Sequence, residues 1–345
     1  MDFETEFVRK FPGANYRCEA IYSDNDYHVY VPVFGDQVYV YTFVAGVINL
    51  VDTIPVDDCQ CIWARDGIIY LLHLTQGIYA YRRVGNTHYL NGNIDDVGGG
   101  SYYFIYGDDA YIYVASSVGG GLRAYTHNAN TGAFVFVASI NAGVHQYREI
   151  KTDSTYIYAC PAGGRFGVYT FNGVAFTELY NQPAIAGNYF GFARGFIHTC
   201  TAPYTNLIAR QWDGAALNTI ETFAITNQGA PNRIVAGLDY VFVTTADSGG
   251  YPSMVRIFRW DGATYEYITS IEAPQYGGAN YSIDVYDPNN GYLFVSGGEF
   301  TGAAYIGASF GILRQVSEFV GDATVSNPRG KAPLRIRFNA NIEAT

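Results

Sequence analysis

Aromatic and aliphatic residues alternate in a four-residue phrase that recurs along this chain. It reads His28-Val29-Tyr30-Val31, Ile68-Ile69-Tyr70-Leu71, Tyr111-Ile112-Tyr113-Val114, Tyr156-Ile157-Tyr158-Ala159, Phe196-Ile197-His198-Thr199, Tyr240-Val241-Phe242-Val243 and Tyr292-Leu293-Phe294-Val295. The spacing between successive copies runs from 40 to 52 residues. Seven copies at such a spacing describe one supersecondary unit used seven times.

Each unit resolves into four short strands. The first follows a polar-aromatic step: Asn15-Tyr16, Ser101-Tyr102, Gln146-Tyr147, Asn188-Tyr189 and Asn280-Tyr281. A polar turn comes next, such as Asp24-Asn25-Asp26 or Gly107-Asp108-Asp109, built from residues that tolerate tight-turn backbone angles. The repeated phrase is the second strand. A third follows, as in Val38-Tyr39-Val40-Tyr41 and Val168-Tyr169-Thr170-Phe171. Hairpins at Phe171-Asn172-Gly173, Trp212-Asp213-Gly214 and Trp260-Asp261-Gly262 then lead into a looser fourth strand. The expected fold is all-β: a seven-bladed β-propeller of four-stranded antiparallel blades. The N-terminal stretch Phe3 to Val8 reads as a fourth strand out of place, and is expected to close the last blade and remove its exposed edge. Within that blade the glycine-rich stretch 297–311 admits two registers.

The blade pattern resembles the seven-bladed propellers of the YVTN, kelch and WD40 superclass, over roughly residues 3–319. Trp-Asp occurs only in the Trp-Asp-Gly turns and the kelch glycine pairs are irregular, so no subfamily follows. The domain reading is a propeller over 1–319 and a C-terminal extension over 320–345. In that extension Gly330 and Ala332-Pro333-Leu334-Arg335-Ile336-Arg337-Phe338 are similar to the opening strand of PKD-type immunoglobulin-like domains. A sandwich of that kind takes about 80 to 100 residues, so the expectation is a truncated domain within a longer modular protein, or else a segment that docks on a partner. That resemblance implies a cell-surface or phage structural setting.

Composition narrows the function classes. The chain has 345 residues, 32 of them Tyr and 39 Gly, with 15% charged residues and a net charge of −11. Its three lysines, Lys10, Lys151 and Lys331, form no basic cluster, which argues against a nucleic-acid partner. No apolar run is long enough for a membrane span. The acidic start, Met1-Asp2-Phe3-Glu4, shows no signal peptide. Five cysteines, at 18, 59, 61, 160 and 200, give no disulfide framework; Cys59 and Cys61 share a strand face without zinc-knuckle spacing, and Cys160 and Cys200 fall in or beside the repeated phrase and read as small buried hydrophobes. The six histidines have no metal-ligand spacing, and His28 and His198 stand where the phrase has aromatics, so they read as core. No P-loop, dinucleotide fingerprint or nucleophile elbow is present. No cofactor is expected. Asp24 to Asp26 and Asp287 to Asn290 carry calcium-compatible oxygens without the twelve-position loop, so Ca2+ has no firm support.

The candidate sites lie where inner strands begin and long loops end. Tyr16, Tyr102, Tyr147, Tyr189 and Tyr281 are positioned to act as stacking platforms for sugars, or else to pack between blades. Tyr251 and Glu299 sit in the longest second-to-third-strand loops, a common place for binding residues. Arg17, Glu19, Arg148 and Asp284 are candidate channel-lining residues, with Arg65, Glu149, Lys151 and Arg233 nearby in the same strands. No catalytic or metal-binding set emerges. The reading is a non-enzymatic structural or adhesive module on a virion or cell surface, binding protein or glycan within a larger assembly. The alternatives are a lactonase-like or glycan-cleaving propeller enzyme and a protein-interaction scaffold. Fold alone does not choose among them.

Overall fold

The computed structural model describes residues 2–12, 18, 20–24, 28–44, 46–95, 102–116, 121–141, 146–153, 155–161, 165–183, 189–200, 206–225, 231–237, 239–245, 254–272, 282–287, 292–300 and 305–316. The PKD-like segment at 330–338 lies outside them, as does the turn at 288–290.

The chain opens with β1 (Asp2–Pro12). Six consecutive four-strand units follow. The first comprises β2 (Tyr22–Ser23), β3 (His28–Pro32), β4 (Val38–Val44) and β5 (Val47–Ile54). The second has β6 (Cys59–Arg65), β7 (Ile68–His73), β8 (Gly77–Val84) and β9 (Thr87–Ile94). The third has β10 (Tyr102–Gly107), β11 (Ile112–Ser116), β12 (Leu122–Asn128) and β13 (Ala133–Ile140). The fourth has β14 (Tyr147–Thr152), β15 (Ile157–Pro161), β16 (Arg165–Phe171) and β17 (Phe176–Pro183). The fifth has β18 (Phe190–Ala193), β19 (Phe196–Cys200), β20 (Asn206–Trp212) and β21 (Leu217–Ala224). The sixth has β22 (Pro231–Ala236), β23 (Tyr240–Thr245), β24 (Met254–Trp260) and β25 (Tyr265–Glu272). The chain closes with β26 (Ser282–Asp287), β27 (Tyr292–Phe300) and β28 (Tyr305–Val316).

Each unit is one antiparallel sheet in sequence order, and the last sheet reads β1-β28-β27-β26. Among the described residues the sheets number seven, all four-stranded. This is an all-β propeller of four-stranded antiparallel blades. The expected closure is present, with Glu4 opposite Arg314 and Phe7 opposite Gly311. Phe11 of β1 is buried with Phe294 and Ile312 of the last sheet and Val29, Val31 and Phe43 of the first. The first and last strands described thus meet in one sheet, and that sheet packs on the first unit.

The glycine-rich stretch settles on one register, with Ser296 opposite Phe310 and Glu299 opposite Gly307. Glu299, expected in a long loop, therefore lies in a strand. Gly297 and Gly298 face Ser309 and Ala308, and residues this small let the two backbones stay paired well past the apolar phrase.

The repeated phrase forms the buried second strand of each blade. Its third residue reaches into the next blade. Tyr30 lies edge-on to His88 at 5.6 Å, and Tyr70 to His127 at 5.4 Å. Tyr113 meets Phe171 and Phe176, and Tyr158 stacks on Phe192 at 5.0 Å. His198 meets Trp260 and Tyr265. Phe242 joins Leu293 and Val295, and Phe294 meets Phe43 at 5.5 Å. A buried hydroxyl or imidazole needs a partner, and the turns supply one. Asp108 Oδ2 accepts from the Tyr113 hydroxyl at 2.7 Å while its Oδ1 accepts from the Ala110 and Tyr111 amides. Asp153 does the same for Tyr158, Thr155 and Tyr156. Asp24 takes the Tyr30 hydroxyl and the His28 amide. The acidic turns are therefore structural.

All five cysteines are buried free thiols, and burial raises four of them, Cys61 to about 11 and Cys200 to about 12. His28 and His198 are buried as expected, at 5% and 0% exposure.

Truncation of Phe11 to Ala removes the aromatic that joins the β1–β28 sheet to the first blade. It is expected to cost about 3–5 kcal/mol, read as a lowered denaturation midpoint at unchanged slope. Burial holds His198 down at about 3, and burial also lowers His88 and His127. In the unfolded chain each of them titrates near 6.5. The unfolded state then binds more protons than the native state below that pH, so stability falls as pH drops from about 6.5 toward 3. Replacing His198 by Phe is expected to remove about 2–3 kcal/mol of the loss between pH 7 and 4.5, measured as a shallower decline of Tm with pH.

Candidate functional site

First strands touch first strands from blade to blade: β6 with β10, β10 with β14, β18 with β22, β22 with β26 and β26 with β2. They are therefore the innermost strands, and their starts surround one mouth of the axial channel. A one-residue bulge recurs there. Cys59 pairs with His73 and Cys61 with Leu72, which leaves Gln60 out of register. Tyr103, Arg148 and Asn232 are skipped in the same way in β10, β14 and β22. A bulge re-aims its side chain and reverses the alternation beyond it.

That shift decides the fate of the predicted platforms. Tyr147 precedes its bulge and packs between blades, fully buried at 0% exposure. Its hydroxyl lies 2.8 Å from those of Tyr169 and accepts from Asn141 Nδ2, also at 2.8 Å. A ring held there offers no face to a sugar, which corrects the platform reading for Tyr147. Tyr102 pairs through its backbone with Ser116. Tyr189 is half-buried and carries the Arg233 guanidinium 3.9 Å from its ring centre. Arg148 is a bulge residue and lies 5.4 Å from the ring of Tyr103, the bulge residue of the preceding blade. Asp284 pairs with Phe294 on β27. Tyr16, Arg17, Glu19, Tyr251 and Tyr281 lie outside the described residues.

Charge gathers below this mouth. Glu149 is 3% exposed. Its Oε2 accepts the Phe190 amide at 2.5 Å and its Oε1 is 3.6 Å from Lys151 Nζ. Burial pushes its carboxyl above the ordinary range, while Lys151 and Arg233 pull it back. Lys151 also lies over the Phe190 ring, and Arg233 is 5.8 Å from Phe104 of the third blade. Arg233, from the sixth blade, thus approaches aromatic rings of the third and fifth. The cluster joins three cations, one carboxylate and the faces of Tyr103, Phe104, Tyr189 and Phe190. Such a set has the chemistry to hold and orient a polar ligand. Among the described residues, no group of three or more His, Cys, Asp and Glu is arranged to hold a metal ion. The sequence reading contained Arg148, Glu149, Lys151, Tyr189 and Arg233 but missed Gln60, Tyr103, Phe104 and Phe190. Their signal was positional, one or two residues beyond the polar-aromatic step.

No family model matches this chain, and no curated protein does. Solved structures do. The β-propeller domain of Cps50 (Swd1) from Myceliophteria thermophila has a TM-score of 0.65 at 8% identity, covering 89% of this chain and 99% of that one. Sqt1 of Saccharomyces cerevisiae has a TM-score of 0.58 at 8% identity, over 89% of this chain and 98% of that one. A putative 6-phosphogluconolactonase from Bacteroides uniformis has a TM-score of 0.62 at 13% identity, over 81% and 88%. At such identities the likeness shows the fold alone.

The Glu149–Lys151 pair makes a testable electrostatic unit. Lys151→Met is expected to cost about 3 kcal/mol by stranding a buried carboxylate, while the double change with Glu149→Gln recovers most of that loss. Urea denaturation of the two single variants and the double variant reads the coupling directly.

Proposed function

We propose that this chain is a non-enzymatic module that presents a rigid propeller, its seven sheets forming the blades of one ring, to a protein partner at its outer rim. The observation that carries this reading is the make-up of the outermost strands. Leu50, Tyr89, Leu90, Val135 and Phe136 are between 46% and 58% exposed, on the fourth strands of three consecutive blades. Those strands touch, β5 with β9 and β9 with β13. The Gly92 and Gly132 backbones lie so close that a Cβ on Gly92 would meet the Gly132 carbonyl oxygen at 2.1 Å. The exposed apolar residues therefore lie on adjoining strands, and bands of this kind mark interaction surfaces. Edge strands are usually protected by charge. Here protection comes from a bulge at the same place in six blades, where Val51, Asn91, Val137, Leu179, Ile220 and Ile268 fall out of register. The bulges discourage strand-on-strand pairing while leaving side chains available to a partner.

A location on a virion or cell surface is part of the proposal, supported by the low charge, the abundant tyrosine and the PKD-like sequence at 330–338. A propeller enzyme is the second reading. It draws support from the buried Glu149 and its cations, together with the fold likeness to putative lactonases.

The test places a photo-crosslinking residue at Leu90 or Phe136, with exposed Gln211 as the control position, in source material fractionated by size. The expected result is one defined partner captured at the rim positions within a particle or envelope fraction. Its binding should weaken at least tenfold in the Leu90→Lys, Phe136→Lys variant. A soluble chain without a rim partner that hydrolyses lactones, and loses that activity in Glu149→Gln, would replace this reading with the enzyme.

A further inference from the structure

Two hydrogen-bond donors at the bulged mouth are buried and unused by the fold. Gln60 is 5% exposed, and its Nε2 has no hydrogen-bond partner among the described residues. The same holds for the Nε of Arg148, a half-buried residue. Buried donors are nearly always paired, and each one left unpaired lowers folding stability. Two of them, on equivalent bulges of the second and fourth blades, ask for an acceptor that the chain does not supply.

Both donors lie on the channel wall. Cys59, before the bulge of β6, packs with the first blade, and Cys61, after it, with the third. Gln60 stands between them on the bulge, which turns its side chain off both blade faces and toward the axis. Tyr103 holds the corresponding place in the blade between, and the Arg148 guanidinium lies 5.4 Å from its ring centre. Because β10 touches both β6 and β14, the three bulges stand side by side.

Charge at this place favours an anion. Arg148 adjoins Glu149 in sequence, and Lys151 and Arg233 pull on that carboxylate. Among the described residues the cluster thus sets three cations against one carboxylate, in a chain whose net charge is −11. A guanidinium held over an aromatic ring carries its N–H donors at its edge, where they meet a planar carboxylate. Burial separates carboxylate from phosphate. The attraction of the cations grows in proportion to the charge of the guest, whereas the cost of removing it from water grows with the square of that charge. A singly charged, two-oxygen group therefore suits a pair of buried donors better than a phosphate dianion.

We propose that the axial mouth binds a small organic monocarboxylate, whose oxygens accept from Gln60 Nε2 and Arg148 Nε in the field of Lys151 and Arg233. The site goes beyond the rim reading and uses none of the rim residues.

The probe is propionate, with propionamide as the neutral isostere and inorganic phosphate as the rival anion. Binding is followed in the full chain by the side-chain amide signals of Gln60 and the Nε–H signal of Arg148. Propionate is expected to shift both saturably, and propionamide to bind about tenfold more weakly. Phosphate should also bind more weakly than propionate. Gln60→Leu keeps the bulk and removes the buried donor. It should weaken binding about fivefold and raise Tm, whereas a glutamine with a purely structural role would lose stability on that change. Arg148→Lys keeps the charge without the Nε–H and should weaken binding about threefold; it carries the test if Gln60→Leu does not fold. Glu149→Gln removes the opposing carboxylate and should tighten binding. No saturable shift with propionate, equal binding of propionamide, tighter binding of phosphate, or an unchanged affinity in Arg148→Lys would overturn the proposal. The Leu90→Lys, Phe136→Lys variant separates the two readings, since it should bind propionate as the parent chain does even where the rim fails to bind a partner.

Discussion

The structure depends on one recurring contact: the aromatic or imidazole at the centre of each second strand, pressed into the neighbouring blade. A blade alone is a small twisted sheet with two apolar faces, too little to stand in water. Inserting Tyr30, Tyr70, Tyr113, Tyr158, His198, Phe242 and Phe294 into a neighbouring sheet joins marginal units into one core. Each ring pair adds about 0.5–1.5 kcal/mol beyond its burial. Phe294 passes the contact back to Phe43 of the first blade. The antiparallel pairing of β1 with β28 supplies the covalently independent part of that closure.

The same contact accounts for features that invite functional readings. A buried phenol demands a hydrogen-bond partner, and the chain meets that demand with an aspartate five or six residues upstream, at Asp24, Asp108 and Asp153. A histidine serves as well. His88 lies 3.3 Å from the Tyr30 hydroxyl and is fixed on its other side by Asp52 at 2.9 Å. His127 lies 3.1 Å from the Tyr70 hydroxyl. Turn carboxylates that resemble calcium ligands and histidines that resemble catalytic groups are satisfied by the architecture itself.

Period and alternation made the blades legible before any coordinates. The seven phrases, the Asx-Gly hairpins and the displaced N-terminal strand each has a local cause written in a few adjacent residues. The bulges were not legible, because an extra residue leaves no compositional mark, and the bulge leaves Arg148 partly accessible while Tyr147 is buried. The pairing of Glu299 was hidden for a related reason: Gly297, Gly298 and Ala308 fit a loop or a strand equally well, and only the pairing of β27 with β28 decides. Nor could spacing reveal that His88 answers Tyr30, since the two are 58 residues apart in sequence. The axial cluster was half visible. Its cations stood out in a chain with so few charges, whereas the aromatics that shelter them looked like any other core residues.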